Sequence, residues 1–584
     1  MSTPQQTDLA LISRLWPFMR PYTKWLWVVA IATPLGVVGG LIQPILLKQG
    51  IDEHIVTGQL DGLGGVALAF MGVVALAFSA RALGLYGLQV AGLRALADIR
   101  RSVFHHVLGQ GSRFFDKRTT GSLMTRTTND VEAIYESMAF GAVGLVTDAL
   151  TILGTLGTML WLDWQLTLVS LSLSPVIVFV VNLFRKKLRA LSTIIRASLS
   201  NLNGDFAEQI NGMTVVQLYG AEERAKETFA KESFTYMDAY RRSNWWDAGL
   251  YAIMDGLSAL ATGLMLWYGA SRFGYGDAVS LGLLVAFIDY LGKIFVPIRE
   301  FSGRIAMIQR AIAALERIFG LLDTSERITT EDTAPLETCT GEIVFDKVAF
   351  AYAPEGAPVL RDVSFSITPG EVVALVGSTG SGKTTIGRLL TRMYDGYTGS
   401  ITLDGHELRA IAPDSVRDLV TVVHQDVYLF DATINENIAL WSPEIGEGEV
   451  QQAARLSRAS DFVESLPQGY DQLIRERGGN LSSGQKQLLG IARAMARPAP
   501  VVILDEATAS VDAMTEALVD EAVAELFERR TVLVIAHRLS TIIKADRILV
   551  LHQGEVVEQG THEQLMQVDG RYANLVRGGG IAGH

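Results

Sequence analysis

Six long apolar stretches occupy the first 300 residues, and they leave the chain few folds to choose from. They run from Trp25 to Leu47, Leu63 to Val90, Met138 to Leu162, Leu166 to Phe184, Trp246 to Gly269 and Leu281 to Ile298. A helix needs about 20 mostly apolar residues to cross a bilayer's hydrocarbon core, and each stretch is of that order. Only the polar turn around Asp163 separates the third from the fourth, so that pair is predicted to be a hairpin. Composition agrees: 49% of the 584 residues are hydrophobic and 19% charged, too apolar a balance for a soluble chain of this length. A net charge of −12 argues against nucleic acid as a partner, because phosphate backbones are held by excess Lys and Arg. The single cysteine, Cys339, can form neither an internal disulfide nor a cysteine-cluster metal site.

Charge in the connecting segments sets the orientation, since cytoplasmic loops are enriched in Lys and Arg. Arg94, Arg100, Arg101, Arg113, Lys117, Arg118 and Arg126 follow the second span, and Arg185, Lys186, Lys187, Arg189 and Arg196 follow the fourth. The alternate loops are nearly bare of positive charge. Both ends of the membrane domain are therefore expected in the cytoplasm, with the basic connectors projecting inward as helical continuations of the spans. No cleavable leader pattern precedes the first span. Leu9 to Met19 places Leu, Ile, Trp and Phe at helical spacing beside Arg14 and Arg20, which suits an interfacial helix over 1–24. The membrane domain is expected over 25–317 and a linker over 318–340.

From about Gly341 to residue 578 the texture changes to β-branched strands alternating with helices, an α/β pattern with a parallel sheet. The strand Glu371 to Val376 runs into Gly377-Ser378-Thr379-Gly380-Ser381-Gly382-Lys383-Thr384-Thr385, a phosphate-binding loop in its required strand, loop and helix context. Such a loop turns backbone N–H groups toward phosphates at a helix N-terminus. Lys383 adds a full charge and Thr384 a hydroxyl for Mg²⁺. A second apolar strand, Val501 to Leu504, ends in Asp505-Glu506. Strand carboxyl ends face the ligand in such sheets, which puts Asp505 near the metal and Glu506 near the attacking water.

Leu481-Ser482-Ser483-Gly484-Gln485, followed by KQLLGIARAMARP, resembles the signature of ABC-transporter ATPases. The same half is similar to that family in Tyr352, the phosphate loop, Gln425 in VVHQDVYLF, VVILDEATASVD ending at Asp512, and His537 in VIAHRLST. The resemblance implies a six-helix transmembrane domain fused to an ABC nucleotide-binding domain, with ATP and Mg²⁺ as cofactors. Tyr352 would stack on adenine, Gln425 would meet Mg²⁺ and the lytic water, Glu506 would be the general base, and His537 would contact the γ-phosphate. Ser482, Ser483, Gly484, Gln485 and Asp512 would complete a nucleotide sandwich with a second half-transporter. Ser482 suits a helix cap, leaving N–H groups of Ser483 and Gly484 for an anion.

Family exporters transmit movement through short helices at the tips of the two connectors, here near Phe114 to Gly121 and Glu208 to Val216. Spans preceding the nucleotide domain in one chain favour an exporter in the cytoplasmic (inner) membrane. The expected function is ATP-driven export of amphipathic drug-like compounds or lipids, with a lipid flippase or an ATP-binding membrane regulator as alternatives. Ser483 stands where the commonest signature has Gly, and QKQLL where many homodimeric exporters have QRQR; together with INGMTVVQ this resembles one subunit of heterodimeric multidrug-resistance-like exporters and favours a paralogous partner. Ionisable residues within spans are costly, so Arg81, Asp148, Asp255 and Asp289 are candidates for the substrate path or for internal pairs. Their excess of acids suits a cationic cargo.

Overall fold

A computed structural model describes residues 8–274, 279–328, 333–353, 356–505, 513–536 and 538–578. The chain divides into two compact units, one of residues 1–108 and 120–324, the other of 109–119 and 325–584. Glu506, Asp512 and His537 lie outside the described residues.

Among the described residues the first unit is helical, and six of its helical stretches are long and apolar enough to cross a membrane. Helices α1 (Thr23–Gln49), α2 (Leu63–Leu108), α3 (Val143–Leu162), α4 (Ser174–Asn211), α5 (Glu222–Gly274) and α6 (Leu281–Leu322) carry the six expected spans. The 46 residues of α2 extend about 69 Å at 1.5 Å per residue. That is roughly twice the ~30 Å hydrocarbon thickness, so its basic end continues beyond the lipid as expected.

Asp163 makes the hairpin between α3 and the short helix Trp164–Leu171. Its extended backbone (φ −159°, ψ 106°) stops one helix, and its carboxylate accepts the N–H of Leu166 at 2.8 Å to start the next. Arg272 holds the other carboxylate oxygen at 2.7 Å. The fourth span is interrupted at Ser172-Leu173, with Pro175 in the first turn of α4, because proline lacks the N–H that an uninterrupted helix would need there.

The N-terminal segment forms two short helices, Asp8–Ser13 and Trp16–Met19, the second opening with Pro17 in its first turn. Leu11, Leu15 and Met19 are buried in the protein, whereas Ile12 and Trp16 face outward. Arg14 fixes the segment to the end of α6 through a bidentate pair with Asp323 at 2.7 and 2.6 Å and lies over the Phe319 ring. This pair draws the Asp323 carboxyl below its ordinary range.

The second unit is built on a six-stranded sheet of β3 (Val372–Val376), β5 (Val420–Val423), β6 (Val501–Asp505), β7 (Thr531–Ile535), β8 (Arg547–His552) and β9 (Glu555–Gly560). Strand order is β9-β8-β3-β7-β6-β5, with β9 antiparallel and the rest parallel. Both faces are covered, so β3 and β7 are buried at every position and apolar at all but Thr531. A four-stranded antiparallel sheet holds β1 (Ile343–Phe350), β2 (Leu360–Ile367), β4 (Thr398–Leu403) and the short strand His406–Glu407. Phe345, Phe365 and Leu403 pack this sheet against Leu389 and Leu390.

The peptide 109–119 belongs to this second unit. Its short helix Ser112–Asp116 buries Phe114 completely, with the Arg118 guanidinium over that ring and the Tyr394 hydroxyl donating to Asp116. Gly111 and Glu326 pair through backbone, and the Glu326 N–H also donates to Gln110 Oε1 at 2.8 Å. A Cβ on Gly111 would meet the Glu326 carbonyl oxygen at 2.8 Å, so the approach requires glycine.

Candidate nucleotide-binding site

Parallel pairing brings the ends of β3, β7, β6 and β5 to one edge. Leu375 registers with Ile535, Ile535 with Asp505, and Val423 with Leu504. The phosphate loop leaves β3 at this edge, Asp505 ends β6 there, and Gln425 follows β5 in an exposed loop. Three separated sequence motifs therefore converge, as expected for ligands bound at strand carboxyl ends.

The loop is shaped by its own residues. Gly382 has φ 108°, a left-handed conformation, and a Cβ there would lie 2.6 Å from Leu360 Cδ2. Helix α7 (Lys383–Leu390) starts immediately afterwards and anchors through Ile386, Leu389 and Leu390. Lys383 is 6% exposed and donates to the carbonyls of Gly377 at 2.6 Å and Ser378 at 3.2 Å. Burial lowers its pKa, and the opposing charge of Asp505 raises it. Ser378, Thr379, Gly380 and Thr384 are exposed at the mouth, whereas Thr385 is buried. The Ser381 hydroxyl is buried without a hydrogen-bond partner among the described residues. A helix N-terminus, a buried ammonium and an orphan hydroxyl suit a phosphate chain.

Tyr352 donates to or accepts from Thr385 Oγ1 at 3.0 Å, and its ring meets Phe350 and Tyr394 edge to face. Arg388 reaches the same hydroxyl at 3.3 Å. The expected adenine platform is thus already tied to the phosphate-loop helix.

Helix α8 (Ser483–Ala496) begins with a capping box. Ser482 Oγ accepts the Gln485 N–H at 3.2 Å, and Gln485 Oε1 accepts the Ser482 N–H at 2.9 Å. The cap occurs where the sequence placed it, and Gln485 serves it too. Ser482 and Ser483 are exposed and Gly484 is buried.

Two residues that motif reading passed over hold the Gln425 loop. Arg493, within the run after the signature, donates to the carbonyls of Asn437 at 2.9 Å and Tyr428 at 3.1 Å. Asn437, 1% exposed, accepts the Phe430 N–H at 2.8 Å and donates to the carbonyls of Phe430 and Thr433. Burial, with Arg497 nearby, lowers Arg493 to about 10. Within the sequence, an arginine on the buried side of an amphipathic helix was the available signal.

In the membrane unit each candidate acid already has a basic partner. Asp148 pairs with Arg304 at 2.6 Å, Asp255 with Arg299 at 3.2 Å, and Asp289 with Lys293. The excess of acids expected to favour a cationic cargo is therefore neutralised by bases of α6.

A spanning helical domain fused to a phosphate-loop fold with a capped signature helix defines a class of nucleotide-powered membrane proteins. Residues 26–298 match the family described as ABC transporter transmembrane region, and 360–509 match ABC transporter. The lipid A-core flippase of Thiobacillus denitrificans is 35% identical, over 98% of this chain and 99% of its own. A putative multidrug export ATP-binding/permease protein of Bacillus subtilis is 33% identical, over 97% and 99%. Among solved structures, a bacterial Atm1-family ABC exporter with ATP bound superposes with TM-score 0.76 at 28% identity, covering 95% of this chain and 98% of the other. The chain belongs to the ABC transporter family, as an exporter half-transporter of the type IV architecture. It is a multi-pass protein of the cytoplasmic (inner) membrane with a cytoplasmic ATP-binding domain, and its half-transporter architecture implies a dimer.

Proposed function

We propose that this half-transporter couples ATP hydrolysis to alternating access of a membrane domain over 25–317, joined by a linker over 318–340 to a nucleotide domain over 341–578, and so moves an amphipathic compound out of the cytoplasm or inner leaflet. The observation that carries the ATPase reading is the buried Lys383 ammonium and orphan Ser381 hydroxyl at the start of α7, facing the edge where Asp505 ends its strand. Residues 377–385 would hold the phosphates and Tyr352 the adenine. Mg²⁺, supported by Thr384, Gln425 and Asp505, would supply neutralising charge. Glu506 takes the proton of the attacking water, while Gln425 orients that water and His537 contacts the γ-phosphate.

Ser482, Ser483, Gly484 and Gln485 would present the start of α8 to nucleotide on the second subunit's phosphate loop, with Asp512 at the same junction. Binding then closes the pair and hydrolysis releases it. Relatives named as a lipid A-core flippase and as a multidrug export protein both fit an amphipathic cargo. Purified protein in lipid vesicles should hydrolyse Mg-ATP, and Glu506→Gln should reduce turnover by about 100-fold or more. Undiminished turnover in that variant sinks the assigned base. ATP-independent accumulation of dyes and labelled lipids in inside-out vesicles would sink the pump.

A further inference from the structure

Within the membrane unit, a cavity of about 660 Å³ opens among α1, α2, α3 and α6. That volume is in the range of small-molecule sites. Its walls mix apolar side chains, including Leu85, Leu88, Val143 and Val296, with five charged residues: Arg81, Asp148, Asp289, Lys293 and Arg304. Four of the five are engaged. Arg304 holds Asp148 at 2.6 Å, Glu300 at 2.9 Å and the Phe140 carbonyl at 2.9 Å. Lys293 holds Asp289 and the Gly40 carbonyl. Arg81 has no acidic partner among the described residues.

An arginine within an apolar span is expensive unless its charge is met, and such a residue marks a ligand path when it faces a cavity. Arg81 is exposed on the cavity wall, open to a partner from outside this unit. A guanidinium presents a planar fork that matches phosphate and carboxylate oxygens, and it repels a quaternary ammonium. The adjacent leucines and valines offer the complementary surface for a hydrocarbon tail.

We propose that Arg81 receives the acidic head group of the transported molecule, so that the cargo class is an amphipath with a phosphate or carboxylate head and an aliphatic tail. This deepens, and rests on, the exporter reading. Asp148 is ion-paired with Arg304 and Asp289 with Lys293, so neither is the counter-charge of Arg81.

The test uses the full-length protein in phosphatidylcholine vesicles, with three twelve-carbon probes below their micellar concentrations: dodecyl phosphate, laurate and dodecyltrimethylammonium. Either acidic probe should stimulate ATPase activity, and the ammonium probe should not. A response to only one acid identifies which head group Arg81 receives. Arg81→Gln should raise the half-maximal concentration of the acidic probe by about tenfold or more, while Arg81→Lys, which keeps the charge, should recover most of the response. If Arg81→Gln does not insert, the lysine variant and the three-probe comparison on the wild type still decide. Stimulation by the ammonium probe alone, or an unchanged acidic response in Arg81→Gln, overturns the head-group assignment and leaves the exporter intact. Active ATPase that ignores all three probes likewise overturns the head-group assignment, whereas failure of every probe, dye and labelled lipid to move only with ATP would count against the exporter reading itself.

Discussion

Glu371, at the entry to β3, shows how one carboxylate secures the strand that delivers the phosphate loop. Burial by itself would raise its pKa, but hydrogen bonds from Thr368 and Arg547 bring it below its ordinary value of 4.5. Its contribution to stability is therefore fully present above about pH 4.5 and fades as pH falls through the lower folded value. Glu371→Gln should cost about 2 kcal/mol at pH 7 and progressively less as pH falls through the lowered folded value, read as a melting-temperature difference that shrinks with acidification. Cys339 is displaced the other way: burial and the neighbouring Asp404 push its thiol up to about 12. It should alkylate at neutral pH at least about 100-fold more slowly than a free thiol, by mass spectrometry of iodoacetamide-treated protein. Neither behaviour was legible in the sequence, because Arg547 and Asp404 reach these residues only through sheet pairing.

Among the elements, the spans and the motif-bearing strands were the most readable, since each is specified by residues that are neighbours in the chain. Breaks were less so. Pro175 and Pro17 interrupt helices whose hydrophobic pattern continues past them. The seating of peptide 109–119 was readable as a connector tip, but its dependence on Gly111 was not, because the obstructing atom belongs to Glu326. Gly111→Val should unseat the Ser112–Asp116 helix, seen as faster hydrogen exchange across 109–119, and should lower transport per ATP hydrolysed by about tenfold. In Arg493→Leu the Tyr428 and Asn437 carbonyls lose their donor. ATPase activity should fall by about tenfold with little change in ATP affinity, because the Gln425 loop loses its support while the phosphate loop does not.

For the molecule as a whole, the half-transporter architecture predicts that a defect in the signature is felt on the other subunit's nucleotide. Ser483→Glu places a carboxylate at the start of α8, where a γ-phosphate would arrive. A fluorescent ATP analogue should still bind its own chain's loop, while turnover falls by about 100-fold; retained turnover would contradict the sandwich. The membrane domain, the phosphate loop and the capped signature were determined by sequence alone, because apolar runs and consecutive loop residues act over a few neighbouring positions. Tertiary structure decided what the charged residues inside the membrane unit do. Asp148, Asp255 and Asp289 looked like an acidic lining until Arg304, Arg299 and Lys293 were brought beside them, leaving Arg81, of the three cations lining the cavity, without an acidic partner among the described residues. The reason is physical: a buried charge is defined by its counter-charge, and packing, not chain order, supplies it.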